Sequence, residues 1–197
     1  MSFYNKQLKK YRTASIYRET NETKIRVYIN LDGQGKLNIN CGIEFLEHML
    51  DQLTTNGQID ITIKTKVYSP IENHHTIEDI GIAMGKAFKK ALGNKIGIKR
   101  YGLAYIPMDE SLSRVVIDFS GRPSLHMTNL GKFDLFREFF HGWVNNSNST
   151  LHIDNVKGFN SHHQIESIFK AFGVAIRIAI SLDKRIKNKL YSTKGIL

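Results

Sequence analysis

The sequence predicts an α+β protein built from two copies of one unit. Two observations carry that prediction. The order strand, strand, helix, strand, helix can be read twice along the 197 residues, at a period near ninety. In addition, HHTIEDIGIAMGKAF begins at His74 and HHQIESIFKAFGVAI begins at His162, eighty-eight residues later. With helices following strands in both copies, a sandwich of sheets and helices is the natural architecture.

The elements follow in order. Thr23 to Asn40 reads as a hairpin: TKIRVYIN alternates, Asp32-Gly33 supplies the turn, and KLNIN returns. GIEFLEHMLDQLTTNG carries a helical stripe at Phe45, Met49, Leu50 and Leu53 that Gly57 ends. IDITIKTKVY alternates as a strand, and HHTIEDIGIAMGKAFKKALG is a second helix closed by Gly93. In the second copy, LAYIPMDESLSRVVIDFSGRPSLHM holds two strands with a bulge around Pro107. FDLFREFFHGWVNN is a helix, TLHIDNV a strand, and HHQIESIFKAFGVAIRIAISL the last helix.

Composition narrows the class. Apolar residues make up 41% and charged residues 23%, as in an ordinary globular protein. No run approaches the roughly 18 to 20 apolar residues of a membrane span, and MSFYNKQLKKYR lacks the apolar core of a secretory signal. Cys41 is the only cysteine, so an intrachain disulfide is excluded and a reducing cytoplasm fits best. The net charge of +10 calls for an anionic partner: nucleic acid, a membrane surface or a phosphorylated metabolite. Clusters in LKKYR and KRIKNKLYSTK account for part of it as solvated basic ends.

The histidine pairs carry the chemistry. On a helix, residues three and four apart share a face, so Glu78 can share a metal ion with His74 or His75 while the other imidazole points toward a second centre. His162, His163 and Glu166 repeat the spacing. Imidazole with carboxylate suits a borderline divalent cation such as Mn, Fe, Co, Ni or Zn. Taken singly, such a motif is equally well a capped helix with solvated glutamates; two copies at matching points favour metal. His48 lies 26 residues before His74, and Glu138 lies 24 before His162. Alone, they would be a core histidine and a surface glutamate.

FLEHMLDQL, NHHTIEDIGIAMGKA, IPMDESLSRVVIDFSGRP, TLHI, SHHQIESIFKAFGVAIR and the terminal STKG together resemble the imidazoleglycerol-phosphate dehydratase family of histidine biosynthesis, from about Arg18 to Leu197. The resemblance implies duplicated ββαβα halves related to the second domain of ribosomal protein S5, about 18–93 and 94–183, followed by a substrate-binding tail. It implies a shell of twenty-four subunits with active sites between them and two Mn ions per site. One ion would take His48, one of His74 and His75, Glu78 and His163. The other would take the remaining member of that pair, Glu138, His162 and Glu166. The reaction implied is loss of water from imidazole-glycerol phosphate: the imidazolate form of the metal-bound ring expels the C3 hydroxyl and Glu22 moves the C2 proton, with His74, Glu78, His162 and Glu166 at the catalytic centre. Arg100, Arg122, Lys170, Ser192, Thr193 and Lys194 would hold the phosphate, and Gln52 would touch substrate.

The chain departs from the family in places. Glu47 replaces a common aspartate, Glu138 stands where many members have a histidine ligand, and Thr193 replaces a serine. His141 and His152 are the alternatives to Glu138. The loop from Leu130 to Leu135 is short, and the first seventeen residues match nothing. The implied partners are a small phosphorylated imidazole and further copies of the chain, with no nucleic acid and no membrane. Two other classes compete. A two-metal phosphoesterase or nuclease would favour more carboxylates, and an RNA-binding module would leave both histidine–glutamate motifs unexplained.

Overall fold

Alternate residues of Thr23–Asn30 are buried, as a strand with one face on a core requires. The computed structural model describes residues 11–68, 73–128, 135–186 and 189–197. In order these form β1 (Thr13–Glu19), β2 (Thr23–Asn30), β3 (Leu37–Asn40), α1 (Glu44–Gly57), β4 (Asp60–Val67) and α2 (Asn73–Leu92). The second half repeats them as β5 (Tyr101–Met108), β6 (Ser111–Asp118), β7 (Ser124–Met127), α3 (Leu135–Ser147), β8 (Thr150–Lys157) and α4 (Ser161–Ile180). The sheets run β1-β2-β4-β3 and β5-β6-β8-β7, antiparallel except that β3 and β7 lie parallel to β4 and β8. The duplicated α+β architecture is therefore as expected, with one more strand ahead of each ββαβα unit. No helix among the described residues is long and apolar enough to cross a membrane.

Two local expectations need correction. First, β2 and β3 are not a hairpin: β2 pairs with β1 and β4, and β4 separates it from β3. The Asp32-Gly33 segment is instead held by Asp60, whose Oδ1 accepts the N–H groups of Gln34 (2.8 Å) and Lys36 (3.1 Å). Second, the stretch expected to hold two strands holds three, with Asp109-Glu110 turning β5 into β6. Pro107 sits unbulged on edge strand β5, where its missing N–H costs nothing, and the register shift lies at Leu112/Ser113 between β6 and β8. The end of α1 at Gly57 is as expected, with Gln58 taking the left-handed position after it, at φ 52°. Residues 1–10, most of the unmatched N-terminus, lie outside the described residues, as do residues 130–134 of the short loop.

Helices of one half meet helices of the other. α2 lies on β1 and β2 and packs against α3; α4 lies on β5 and β6 and packs against α1. Both crossings depend on glycine. A Cβ on Gly85 would stand 2.4 Å from the Trp143 carbonyl oxygen, and one on Gly173 would stand 2.5 Å from that of Leu53. Phe88, Phe140, Trp143, Phe169 and Phe172 fill the interior between them in edge-on and tilted contacts. Each contributes roughly 1.5–3 kcal/mol by burial. The two histidine pairs open α2 and α4, so the packing that builds the core also fixes where they project.

Candidate functional site

α4 begins with a cap that aims its histidines. Asn160 Oδ1 accepts the N–H groups of His162 (2.9 Å) and His163 (3.4 Å). One turn on, Glu166 Oε2 lies 3.0 Å from His162 Nε2 and 3.4 Å from His48 Nε2, the latter brought over by the α1–α4 crossing. Donor atoms of His48, His162 and Glu166 all fall within 4.8 Å of one another. Glu166 is buried, which alone would raise its pKa; Lys170 Nζ at 2.7 Å from Oε1, with His48 and His162, outweighs burial and holds the carboxyl below its ordinary value. The group therefore offers two exposed imidazoles and one ionised carboxylate, a donor set that fits a divalent transition metal.

His163 points elsewhere. Its Nδ1 lies 2.7 Å from Glu110 Oε2 in the β5–β6 turn. The bond from His163 is the largest cause drawing the Glu110 carboxyl down to about 2, and Glu110 in turn raises the His163 pKa.

The first half repeats this pattern. His75 Nδ1 bonds Glu22 Oε2 at 2.5 Å, from the β1–β2 turn. The His74 and His75 rings stand 4.1 Å apart. His75, Glu22 and Glu78 line one depression with Arg18 and Asp79. Arg18 donates twice to Asp79 Oδ1, and the Thr23 hydroxyl donates to Oδ2. At the eighty-eight-residue offset, Glu22 corresponds to Glu110, His75 to His163 and Glu78 to Glu166. Glu110 is thus a site residue that sequence reasoning missed; its distance from Glu22 was the available signal.

The phosphate anchors gather in a different place. Arg100, Arg122, Ser192, Thr193 and Lys194 line a single cavity with the SGRP loop. Arg100 is already engaged, bonding Asp118 through Nε (2.6 Å) and Nη2 (3.0 Å) and the Tyr191 carbonyl through Nη1 (2.7 Å). The exposed Arg122 and Lys194 are the freer cations. Lys170, expected among the anchors, lies against Glu166 and Met108 instead.

The remaining candidates are also placed. Gln52 follows His48 by one turn of α1 and is half-buried. Glu138 is half-buried in the first turn of α3, one turn before Gly142, which packs on the Glu78 carbonyl of α2. It therefore lies on the same face of α3 as Gly142, the face turned to α2. His141 meets Asn145, and His152 stacks on His126 at 4.4 Å; neither joins the group around Glu166. Glu47 accepts the N–H groups of Cys41 and Gly42, a capping role. Cys41 itself is buried, with its thiol pushed up to about 11, so it is no nucleophile at neutral pH.

Comparison with known proteins agrees with these motifs. Residues 41–176 match the family described as imidazoleglycerol-phosphate dehydratase. The enzyme of that name from Pseudomonas fluorescens is 56% identical over a 194-residue alignment covering 94% of this chain and 98% of that one. The Bordetella avium enzyme is 55% identical, covering 94% and 100%. Among solved structures, imidazoleglycerol-phosphate dehydratase from Staphylococcus aureus superposes with a TM-score of 0.77 at 38% identity, covering 87% of this chain and 99% of that one. The Pyrococcus furiosus protein gives 0.80 at 32%, covering 92% and 100%.

Proposed function

Since the chain belongs to the imidazoleglycerol-phosphate dehydratase family, as a hydro-lyase of histidine biosynthesis, we propose that it converts D-erythro-imidazole-glycerol phosphate to imidazole-acetol phosphate at a centre of two divalent ions, manganese in the first instance. The observation that carries the metal reading is the convergence of His48, His162 and the ionised Glu166 within one chain. His74, His75, Glu78, Glu138 and His163 are the further donors. When bound, such an ion supplies Lewis-acid polarisation of the substrate's imidazole ring.

The chain's own groups do the rest. Arg122, Lys194 and the Ser192 and Thr193 hydroxyls hold the phosphate by charge-assisted bonds and so fix the glycerol carbons. Glu22, exposed beside His75, takes the proton from C2 while the C3 hydroxyl leaves with a proton as water. The resulting enol becomes the ketone on proton return to C3.

His74, His75 and Glu78 project from α2 and Glu138 from α3, whereas His48, His162 and Glu166 project from α1 and α4. We assign the completed centre to two neighbouring chains, each giving one unlike half-site, in a symmetric cytoplasmic homo-oligomer. Turnover by chelator-stripped protein, with and without Mn2+, tests the reaction. Product only with metal supports it. A metal-loaded oligomer that made none would end it.

A further inference from the structure

Glu110 holds the start of α4 from two sides. Its Oε1 accepts the N–H groups of Phe159 (3.3 Å) and Asn160 (2.9 Å), and Asn160 is the residue that caps the helix. Its Oε2 meets His163 Nδ1 at 2.7 Å. A carboxylate only accepts, so the ring nitrogen facing it carries the proton, and in the neutral ring, the form that ligates a metal, Nε2 then keeps its lone pair. Of the other acidic groups that act on the ring, Glu166 is bonded to His48, His162 and Lys170, and Asp109 Oδ2 lies 3.7 Å from Nε2, beyond hydrogen-bond distance, with its side chain three-quarters exposed. Nε2 is therefore available to a ligand.

The arrangement recurs where its neighbourhood has changed. In the first half Glu22 meets His75 Nδ1 in the same way. There Thr23 and Asp79 form a charged set with Arg18, whereas the corresponding Ser111 and Ser167 make only uncharged contacts, with each other, Ser113, Asn155 and backbone carbonyls. Surroundings that need only preserve the fold have drifted apart, while the turn glutamate and the Nδ1 contact appear in both halves.

We propose that Glu110 is a positioning residue: it fixes the His163 tautomer and ring so that Nε2 is presented to a divalent cation. Carboxylates placed behind metal-binding imidazoles act in this way, and their loss typically weakens metal binding by about 10–100-fold. The inference rests on the metal centre proposed above.

The test is Mn2+ affinity of the full-length chain, read from the electron paramagnetic resonance of free Mn2+, for wild type, Glu110→Ala, Glu110→Gln, His163→Ala and the double variant Glu110→Ala/His163→Ala. Glu110→Ala should bind about 10–100-fold more weakly. Glu110→Gln should lose less, because its amide oxygen still accepts from Nδ1–H. The double variant should bind no more weakly than His163→Ala, since Glu110 acts through that ring. A purely structural brace would instead lower the melting temperature and leave the affinity unchanged. Wild-type affinity in Glu110→Ala, or losses that multiply in the double variant, would overturn the assignment. Should Glu110→Ala fail to fold, Glu110→Met, which keeps the length but accepts no hydrogen bond, would overturn it equally at wild-type affinity. A wild-type chain that bound no Mn2+ would remove the metal centre itself, and this inference with it.

Discussion

The two halves present the same three groups, a turn glutamate, a second histidine and a helix glutamate, in different settings. In the second half, His48 crosses from α1 to join His162 at the buried Glu166, with Lys170 on the far oxygen. In the first half, Glu78 is only half-buried and the adjacent Asp79 is tied to Arg18 and Thr23. The loop before the third strand diverges too. Asp60 pins it in half one, whereas in half two the equivalent loop is SGRP, where Thr150 meets Ser120 and the Arg122 carbonyl and leaves the Arg122 side chain exposed beside the tail. One copy of the unit thus has its loop pinned by a carboxylate, while the loop of the other lines a cavity with exposed cations. The two copies share these groups, and what surrounds them has diverged.

The comparison can be broken most forcefully at the helix glutamates. Glu166→Gln and Glu78→Gln should each lower kcat/KM by more than the roughly 100-fold ceiling for outer residues, because each removes a direct donor. Glu166→Gln should cost more Mn2+ affinity in the isolated chain, where its partners already converge. Equal losses would erase the asymmetry. Next comes Arg122→Ala. It should raise KM about 10–100-fold with a smaller change in kcat, from the loss of charge-assisted bonds of about 1.5–3 kcal/mol. The matching first-half change, Gln34→Ala, should leave kinetics unaltered.

Packing should respond alike in both halves. Gly85→Ala and Gly173→Ala each force a methyl into a carbonyl oxygen, at a cost of about 1–3 kcal/mol. In a chain of this length that lowers the melting temperature by about 2–4 °C per kcal/mol. A large inequality between the two would show that the crossings are not equivalent.

The smallest effect is the pH dependence of Asp60. Burial raises its pKa, but the backbone N–H groups of Gln34 and Lys36 outweigh burial and hold it below 3.8. A depressed carboxylate contributes stability above its unfolded value that is lost as pH falls through the folded one. Asp60→Asn should therefore melt lower at neutral pH and converge with wild type in acid. Thr150→Val, at the matching position, should show no such convergence.

Much of this was legible in the sequence because it is local. The helices bearing the histidine pairs announced themselves by periodicity, and Gly93 ends α2 at φ 58°, as read. Strand neighbours were not legible, since alternation along TKIRVYIN identifies a strand without saying what lies beside it. β1 went unseen because it falls largely in a segment matching no motif. Glu110 was hidden for a related reason: two strands were read where three exist, so the Asp109-Glu110 turn disappeared into a strand. The His48–Glu166 contact spans 118 residues and depends on a helix crossing that no local pattern encodes.

The claim on which the rest depends is that neighbouring chains each give one unlike half-site. His75→Ala disables the first half-site and His162→Ala the second, so each variant alone should be inactive. Coexpressed with different tags and purified through both, the mixed oligomer should recover activity, because some interfaces join an intact first half-site to an intact second one. Mixed oligomers that form, load Mn2+ and remain inactive would contradict the account.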